Sequence, residues 1–180
     1  MAAHHSNWAA FLLTHGLDSY ELDLTYQEGI HGRYIGADAE DIPLGDDSVD
    51  GMPLQCAFET FQGNADIGFI KEAQRLLKSQ GALAIIPLYV DEKHFVRSRP
   101  HVDLRGVEVD GGAIRLWRED RHYQAFSRHY SPEAFMDRIL SQVTQVEASI
   151  VHFTNLSELA HAYPGQRIYC DFMLYAKKPR

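Results

Sequence analysis

The stretch ADIGFIKEAQRLLKSQGALAIIPLYV, residues 65–90, decides the fold. Ile67, Ile70, Ala73 and Leu77 recur at three- and four-residue intervals, and Lys71, Glu72, Arg75 and Lys78 fill a wetter side, the spacing of an amphipathic helix. Asn64 stands before this helix as its cap, and Gly81 follows as a low-cost left-handed stop. ALAIIPLYV is then almost continuously apolar, which predicts a central parallel strand covered on both faces, with Pro87 at its exit. Upstream, Met52 to Phe58 reads as another buried strand, in which Pro53 belongs only at the beginning. Strand, helix and strand in this order predict an α/β fold with a mostly parallel sheet.

Working outward, the amino-terminal side opens on a short helix that Ser6 caps, with Trp8, Phe11 and Leu12 on its apolar side and Gly16 as its stop. Tyr20, Leu22 and Leu24 alternate with Glu21 and Asp23 as in a half-buried strand, and YIGA at 34–37 predicts a short second one. Residues 91–125 carry short alternating pieces around Gly111-Gly112 and predict a hairpin or irregular excursion. Ser131-Pro132-Glu133 supplies a cap, an N1 proline and an early acid for a helix through Phe135, Ile139 and Val143. ASIVHFT at 148–154 and RIYCDFMLYAKK at 167–178 predict a final antiparallel pair, separated by a short helical turn in LSELAHAYPG.

The 180 residues suffice for one substantial core, so 1–180 is expected to be a single domain. Seventeen Lys and Arg against 25 Asp and Glu leave a charge of -8, which repels an extended phosphate backbone and argues against nucleic acid as a partner. Arg97, Arg99, Arg105, Arg115, Arg118 and Arg121 are interrupted by Asp103, Glu108, Asp110, Glu119 and Asp120, the composition of a mixed solvated face. No apolar run reaches the roughly 20 residues that cross a membrane, and no secretory signal precedes Trp8. Cys56 and Cys170 form no CxxC pair, and buried reduced thiols suit a cytoplasmic protein. Ten histidines without an HExxH or compact Cys/His pattern leave no metal site to assign.

GADAEDIPLGDDSVD at 36–50, followed by FIKEAQRLLKSQGALAIIPLY at 69–89, resembles class I S-adenosylmethionine-dependent methyltransferases. The first stretch is similar to their acidic adenine-side loop and entry to the fourth strand. The second is similar to the helix and RLLKxxG turn feeding the fifth. The resemblance extends back through ELDLTYQEGIHG and forward through RHYSPEAF. It implies a Rossmann-like sheet of order 3-2-1-4-5-7-6 with an antiparallel last strand. It also implies S-adenosylmethionine as cofactor and methyl transfer to a small molecule. The chain departs at its front: the first strand and glycine-rich turn of the family have no counterpart before Asp23. The fold expected is thus a truncated class I methyltransferase fold, and cofactor binding by the isolated chain is expected to be weak.

The resemblance implies roles residue by residue. Asp23 matches the acid that accepts hydrogen bonds from the ribose hydroxyls, the bland alternative being a solvated strand end. Asp38 matches the acceptor for the adenine amino group, Ala39 would offer its amide beside the base, and Ile42 and Leu44 would cover an apolar wall; a simple polar turn is the alternative. Asp50 is expected to be structural. Phe58, Glu59 and Phe61 follow the fourth strand, where Glu59 would face substrate. His129 and Tyr130 would wall the site, with His129 deprotonating a polar acceptor because imidazole titrates near neutrality, or serving as a structural histidine. Two other functions stay open: a noncatalytic binding or assembly domain derived from the fold, and a metal-dependent lyase or hydrolase. Strands around ELDLT and MPLQCAF would flank a gap of about 9.6 Å if neither moved. Direct pairing, insertion of the amino terminus or a second copy would fill it, and a homo-oligomer joined through residues 6–26 is expected.

Overall fold

The computed structural model describes residues 8–99, 109–118, 125–166 and 168–180. The first elements are α1 (Trp8–Thr14), β1 (Glu21–Leu22), β2 (Gly29–His31), β3 (Tyr34–Gly36) and β4 (Val49–Gln55). A 3-10 turn (Phe58–Thr60), α2 (Ala65–Leu76), β5 (Leu77–Leu88), β6 (Phe95–Ser98), β7 (Ile114–Trp117) and β8 (Phe126–His129) follow. The chain closes with α3 (Pro132–Arg138), β9 (Glu147–His152), α4 (Leu156–Ala162) and β10 (Phe172–Lys177). Both Ser6 and the two adjacent histidines of the amino terminus lie outside the described residues, but Gly16 does end α1 with φ +72°.

The largest sheet runs β4-β5-β10-β9, with β4 parallel to β5 and β10 antiparallel to both of its neighbours. A second sheet sets β1 parallel to β3, with β2 on the other side of β3. Written together as β3-β1 and β4-β5-β10-β9, these follow the order 3-2-1-4-5-7-6 with its antiparallel last strand, less the central place. The α/β, Rossmann-like fold expected from the sequence is borne out. Direct pairing of β1 with β4 does not occur: among the described residues β1 pairs only with β3, and β4 only with β5. Even so, Leu22 of β1 packs on the same core as Met52 and Leu54 of β4. Pro53 lies mid-strand in β4, where a proline is tolerated because one edge carries no ladder partner.

That core is the layer between the sheet face of Leu83, Ile85 and Leu174 and the buried sides of α2 and α3, represented by Phe69, Ile70, Ala73, Phe135 and Ile139. Each such large apolar side chain contributes about 1.5–3 kcal/mol by leaving water. Cover on both faces of β5 is not complete. Leu83 and Ile85 are buried, whereas Ala84 and Ile86, pointing the other way, are half-buried. Helix α2 also ends earlier than its periodicity predicts, at Leu76. Leu77 already pairs with Val49, and the Lys178 ammonium donates to the carbonyls of Gln74 and Leu77 at 2.9 and 2.8 Å, taking over the carbonyls that a longer helix would use. Left-handed backbone falls on Gln80, not Gly81. Glycine is needed at 81 for space, since a Cβ there would lie 2.8 Å from the Lys78 carbonyl oxygen.

The excursion at 91–125 contributes a third sheet, β7-β6-β8, in which β6 is parallel to β7 and antiparallel to β8. β6 and β7 run parallel and so are not the two arms of a hairpin, while residues 100–108, ahead of Gly111-Gly112, lie outside the described residues. Arg128 of β8 fastens this sheet to the main core. Its fully buried guanidinium donates to Asp110 Oδ2 at 2.7 Å and to the carbonyls of Phe61 and Gly63, both at 2.8 Å, and lies 3.0 Å from Asp66 Oδ2. Asp66 is itself wholly buried and accepts from the Tyr130 hydroxyl and from Arg138 Nε, each at 2.7 Å. Asp110, expected on a solvated face, is therefore an inward ion-pair partner. Ser131 caps α3 as expected, accepting from the Ala134 amide at 3.2 Å. Asn64 makes no cap bond to α2, because its side chain turns to Arg138 instead.

Removing Arg128 leaves Asp66 and Asp110 as buried, under-compensated carboxylates, so Arg128→Met should destabilise the chain by about 3–5 kcal/mol. Lys78→Ala, which breaks an exposed pair with Asp50, should cost no more than about 1 kcal/mol. Urea unfolding of both variants checks this, and similar midpoints would contradict it.

Candidate functional site

Asp23 follows directly on β1 and is 2% exposed. Its amide donates to the Ile35 carbonyl, extending the β1 to β3 ladder, while Oδ1 accepts from the Thr25 amide at 2.9 Å and the Thr25 hydroxyl at 2.8 Å. A buried acid in an Asx turn is thereby fixed at the carboxyl end of a parallel strand, not left as a solvated strand end.

The loop after β3 is held from beneath by α2. Glu72 Oε1 accepts from the Ile42 amide at 2.8 Å, and Arg75 donates to the carbonyls of Ile42 at 3.0 Å and Leu44 at 2.8 Å and to Asp46 at 2.7 Å. Glu72 and Arg75 also pair with each other at 2.5 Å. The sequence pattern assigns both to a wet helix side, yet Glu72 is buried. The loop lying on top removes it from water, and periodicity carries no signal of that. Ala39 and Ile42 are buried, with Ala39 part of the main core, and Asp38 is exposed and accepts from the Glu40 amide at 3.3 Å. Glu72 occupies the Ile42 amide, and Arg75 with the Leu44 amide occupies its carbonyl, so the side chain is what Ile42 has left to offer another partner. Asp50 is a surface partner of Lys78 at 2.8 Å.

Beyond β4 the chain turns at Cys56, whose φ is +51°, into the 3-10 turn that holds Phe58 and Glu59. Phe58 meets Phe61 edge-on, and Glu59 is 2% exposed. Phe58 also stacks on Tyr130 at 6.2 Å, so the segment after β4 and the end of β8 lie against each other. Arg128 secures this contact by binding the Phe61 and Gly63 carbonyls. Glu59 and His129, 70 positions apart in sequence, thus come to neighbouring elements.

His129 is almost buried, and its ring lies between Phe95 at 4.3 Å and Tyr89 at 4.7 Å. Nδ1 is 2.8 Å from Asp91 Oδ2, and Nε2 is 3.4 Å from the Ser127 hydroxyl. Burial pushes the imidazole below its ordinary value, against the opposing hydrogen bond and charge of Asp91, so the neutral ring predominates at neutral pH. Tyr130 is wholly buried and its hydroxyl is pushed well up, first by burial and then by the charge of Asp66, so it stays protonated. Asp91 and Ser127 were not singled out by sequence, because nothing local links residue 91 to residues 127–129. His94 is committed elsewhere, with Nδ1 2.9 Å from the His129 carbonyl and Nε2 3.1 Å from Asp110. Among the described residues no group of three His, Cys, Asp or Glu side chains is arranged to hold a metal. Cys56 and Cys170 are half-buried and unbonded to each other, with Cys56 Sγ 3.1 Å from the Tyr169 hydroxyl.

Residues 9–85 match the methyltransferase domain family. No curated protein sequence matches. Among solved structures, the 1,6-didemethyltoxoflavin-N1-methyltransferase of Burkholderia thailandensis, with bound 1,6-didemethyltoxoflavin and S-adenosylhomocysteine, aligns at a TM-score of 0.60 and 14% identity. That alignment covers 99% of this chain and 69% of the other. A Mesorhizobium loti S-adenosylmethionine-dependent methyltransferase aligns at 0.56 and 16% identity over 95% of this chain and 86% of its own. One from Methanosarcina mazei aligns at 0.55 and 12% identity over the same shares. Together with the domain match, these bear out the resemblance drawn from residues 36–50 and 69–89.

Burial pushes the Glu72 carboxyl up, but hydrogen bonds from Arg75 and the Ile42 amide outweigh it and hold the carboxyl below the usual range. A carboxyl lowered on folding stabilises above its unfolded value, about 4.3, and that contribution is lost as pH falls through the folded value. Glu72→Gln should therefore flatten the loss of stability below about pH 4.3. Amide exchange of Ile42 should also quicken by about tenfold in Glu72→Ala, the equivalent of one lost hydrogen bond. Unchanged exchange would show that the loop is held by other contacts.

Proposed function

We propose that this chain, which has the fold of class I S-adenosylmethionine-dependent methyltransferases and a methyltransferase domain over residues 9–85, transfers a methyl group to a small-molecule acceptor. The observation that carries the reading is the domain match joined to a fold likeness spanning almost the whole chain. The donor set fits the cofactor. Asp23 is a carboxylate, an acceptor suited to a pair of ribose hydroxyls, on the strand end where ligands of open α/β sheets bind. Asp38 accepts at the rim of the loop that Glu72 and Arg75 hold, and Ala39 and Ile42 supply apolar surface for a base. The cofactor, once bound, supplies an electrophilic methyl group.

What the chain contributes is orientation, exclusion of water and proton removal. Glu59 and His129 are the two groups proposed to face the acceptor, one after β4 and the other on β8. His129, neutral at pH 7, takes the proton; Glu59, buried beside the aromatic turn, orients the acceptor. A cytoplasmic setting agrees with two cysteines that are not joined to each other. No helix among the described residues is long and apolar enough to cross a membrane.

We also propose that two copies associate through the amino-terminal region. Phe11, Leu13, Leu17, Tyr20 and Leu24 are large apolar side chains, all more than 40% exposed, in the stretch that runs from α1 to just past β1. Such a cluster favours association. A second copy presents the same surface, which suits a two-fold interface.

Titration calorimetry with S-adenosylhomocysteine tests the first reading: saturable binding is expected, weakened about tenfold or more by Asp23→Asn, ~1.4 kcal/mol, and by Asp38→Ala, but not by Lys71→Ala. Equal losses from all three would place the ligand elsewhere. Incubation with methyl-labelled cofactor and a metabolite panel should then label a small molecule. For association, light scattering should give more than one subunit, reverting to one in Phe11→Glu/Leu17→Glu. A monomer at all concentrations would contradict it.

A further inference from the structure

We propose that Asp91 is the positioning residue for His129, holding the imidazole as the Nδ1–H tautomer so that Nε2 is left as a proton acceptor on the inner edge of a clamped ring. The role rests on the methyl-transfer reading, in which His129 is the base. The tautomer itself does not depend on that reading. An ionised carboxylate can only accept hydrogen bonds, so a neutral imidazole 2.8 Å from Asp91 Oδ2 must carry its single proton on Nδ1. Nε2 then bears a lone pair, and the Ser127 hydroxyl, 3.4 Å away, is the group that can donate to it.

The surroundings allow no easy escape from this arrangement. Tyr89 and Phe95 cover both faces of the ring at 4.7 and 4.3 Å with interplanar angles of 22° and 15°, so a ring flip would have to part them. Phe95 lies on β6, paired directly opposite His129, and Tyr89 precedes Asp91 at the end of β5. The Tyr130 amide donates to the Tyr89 carbonyl at 3.1 Å, and the Asp91 amide to the Tyr130 carbonyl at 2.8 Å, locking the two chain segments in register. The Nε2 edge faces the buried Ser127 hydroxyl. The Ser127 contact is longer than a good O–H to N hydrogen bond, so a substrate hydroxyl at about 2.8 Å would supersede it.

In the reaction, the acceptor's proton passes to Nε2 as its X–H bond breaks. The freed electron pair forms the bond to the methyl carbon, and the carbon–sulfur pair stays on sulfur. The ring becomes an imidazolium whose Nδ1–H still donates to Asp91, so the charge formed in that step meets an opposite charge already in place. Other charged or titratable groups near the ring are Arg97 on β6 and Arg118 after β7, both opposing protonation, and His94, whose Nδ1 is at the His129 carbonyl. Of the charges acting on the ring, Asp91 is the one that favours the protonated state.

Nitrogen NMR of the full chain with labelled histidine, the His129 signals assigned by loss in His129→Gln, reads the tautomer directly. At pH 8 without ligand, His129 should be in the Nδ1–H form. Asp91→Ala should turn most of it to the Nε2–H form and lower its titration midpoint by about one pH unit. Ser127→Ala should change neither. Asp91 is largely on the surface, so the variant is expected to fold. A wild-type ring in the Nε2–H form, or an Asp91→Ala spectrum with the same tautomer and midpoint, would overturn the proposal. Failure of S-adenosylhomocysteine to bind would instead sink the methyl-transfer reading and leave this ligand-free measurement to decide the positioning role.

Discussion

A single buried cation organises the part of the molecule where acceptor chemistry would take place. Arg128 lies wholly out of water, and a guanidinium is kept there only where opposite charge and hydrogen-bond acceptors surround it. Asp66 at the start of α2, Asp110 ahead of β7 and two carbonyls of the segment after β4 meet that need. Its planar fork can serve several acceptors at once, as the single point charge of a lysine could not. The consequence is positional: β8 cannot shift without carrying the segment that holds Glu59, and the ring of His129, next in sequence, is set by the same anchor. Tyr130 ahead of α3 and Arg138 at its end share Asp66, so both ends of α3 are joined to the same centre.

A similar logic holds the opposite side of the site. Arg75 and Glu72 reach from α2 to the loop carrying Asp38, Ala39 and Ile42, which leaves α2 charged at both ends of its inward face. Its amino-terminal Asp66 lies toward the proposed acceptor side, and its carboxyl-terminal pair toward the proposed cofactor side. One helix thereby sets both halves of the proposed site relative to the same sheet. That dual use explains why its polar residues are buried in numbers its amphipathic pattern does not predict.

Local pattern made the architecture legible. The periodicity of residues 65–76, the apolar run at 82–90 and the Ser131-Pro132 cap all found their elements, since helix, strand and cap are dictated within a few residues. The resemblance at 36–50 and 69–89 carried the topology further. What stayed hidden depends on distant segments. Glu72 looked wet because the loop that covers it lies 30 positions away, and Asp110 looked solvated because its partner lies on another strand. The early end of α2 came from Lys178, over 100 positions downstream, and nothing around residue 91 announced a partner at 129. Buried polar pairs satisfy each other through space, so composition at either end looks like surface.

The central claim is that the carboxyl ends of β1 and β4 form the floor of a cofactor site with the acceptor chemistry on the β8 side. A crystal structure of the chain grown with S-adenosylhomocysteine tests it most directly. The account predicts density for the ribose within hydrogen-bonding distance of Asp23, the base against Ala39 and Ile42, and the sulfur directed toward the segment of Glu59 and His129. Density elsewhere on the molecule, or a bound ligand whose ribose lies out of hydrogen-bonding reach of Asp23, would contradict it.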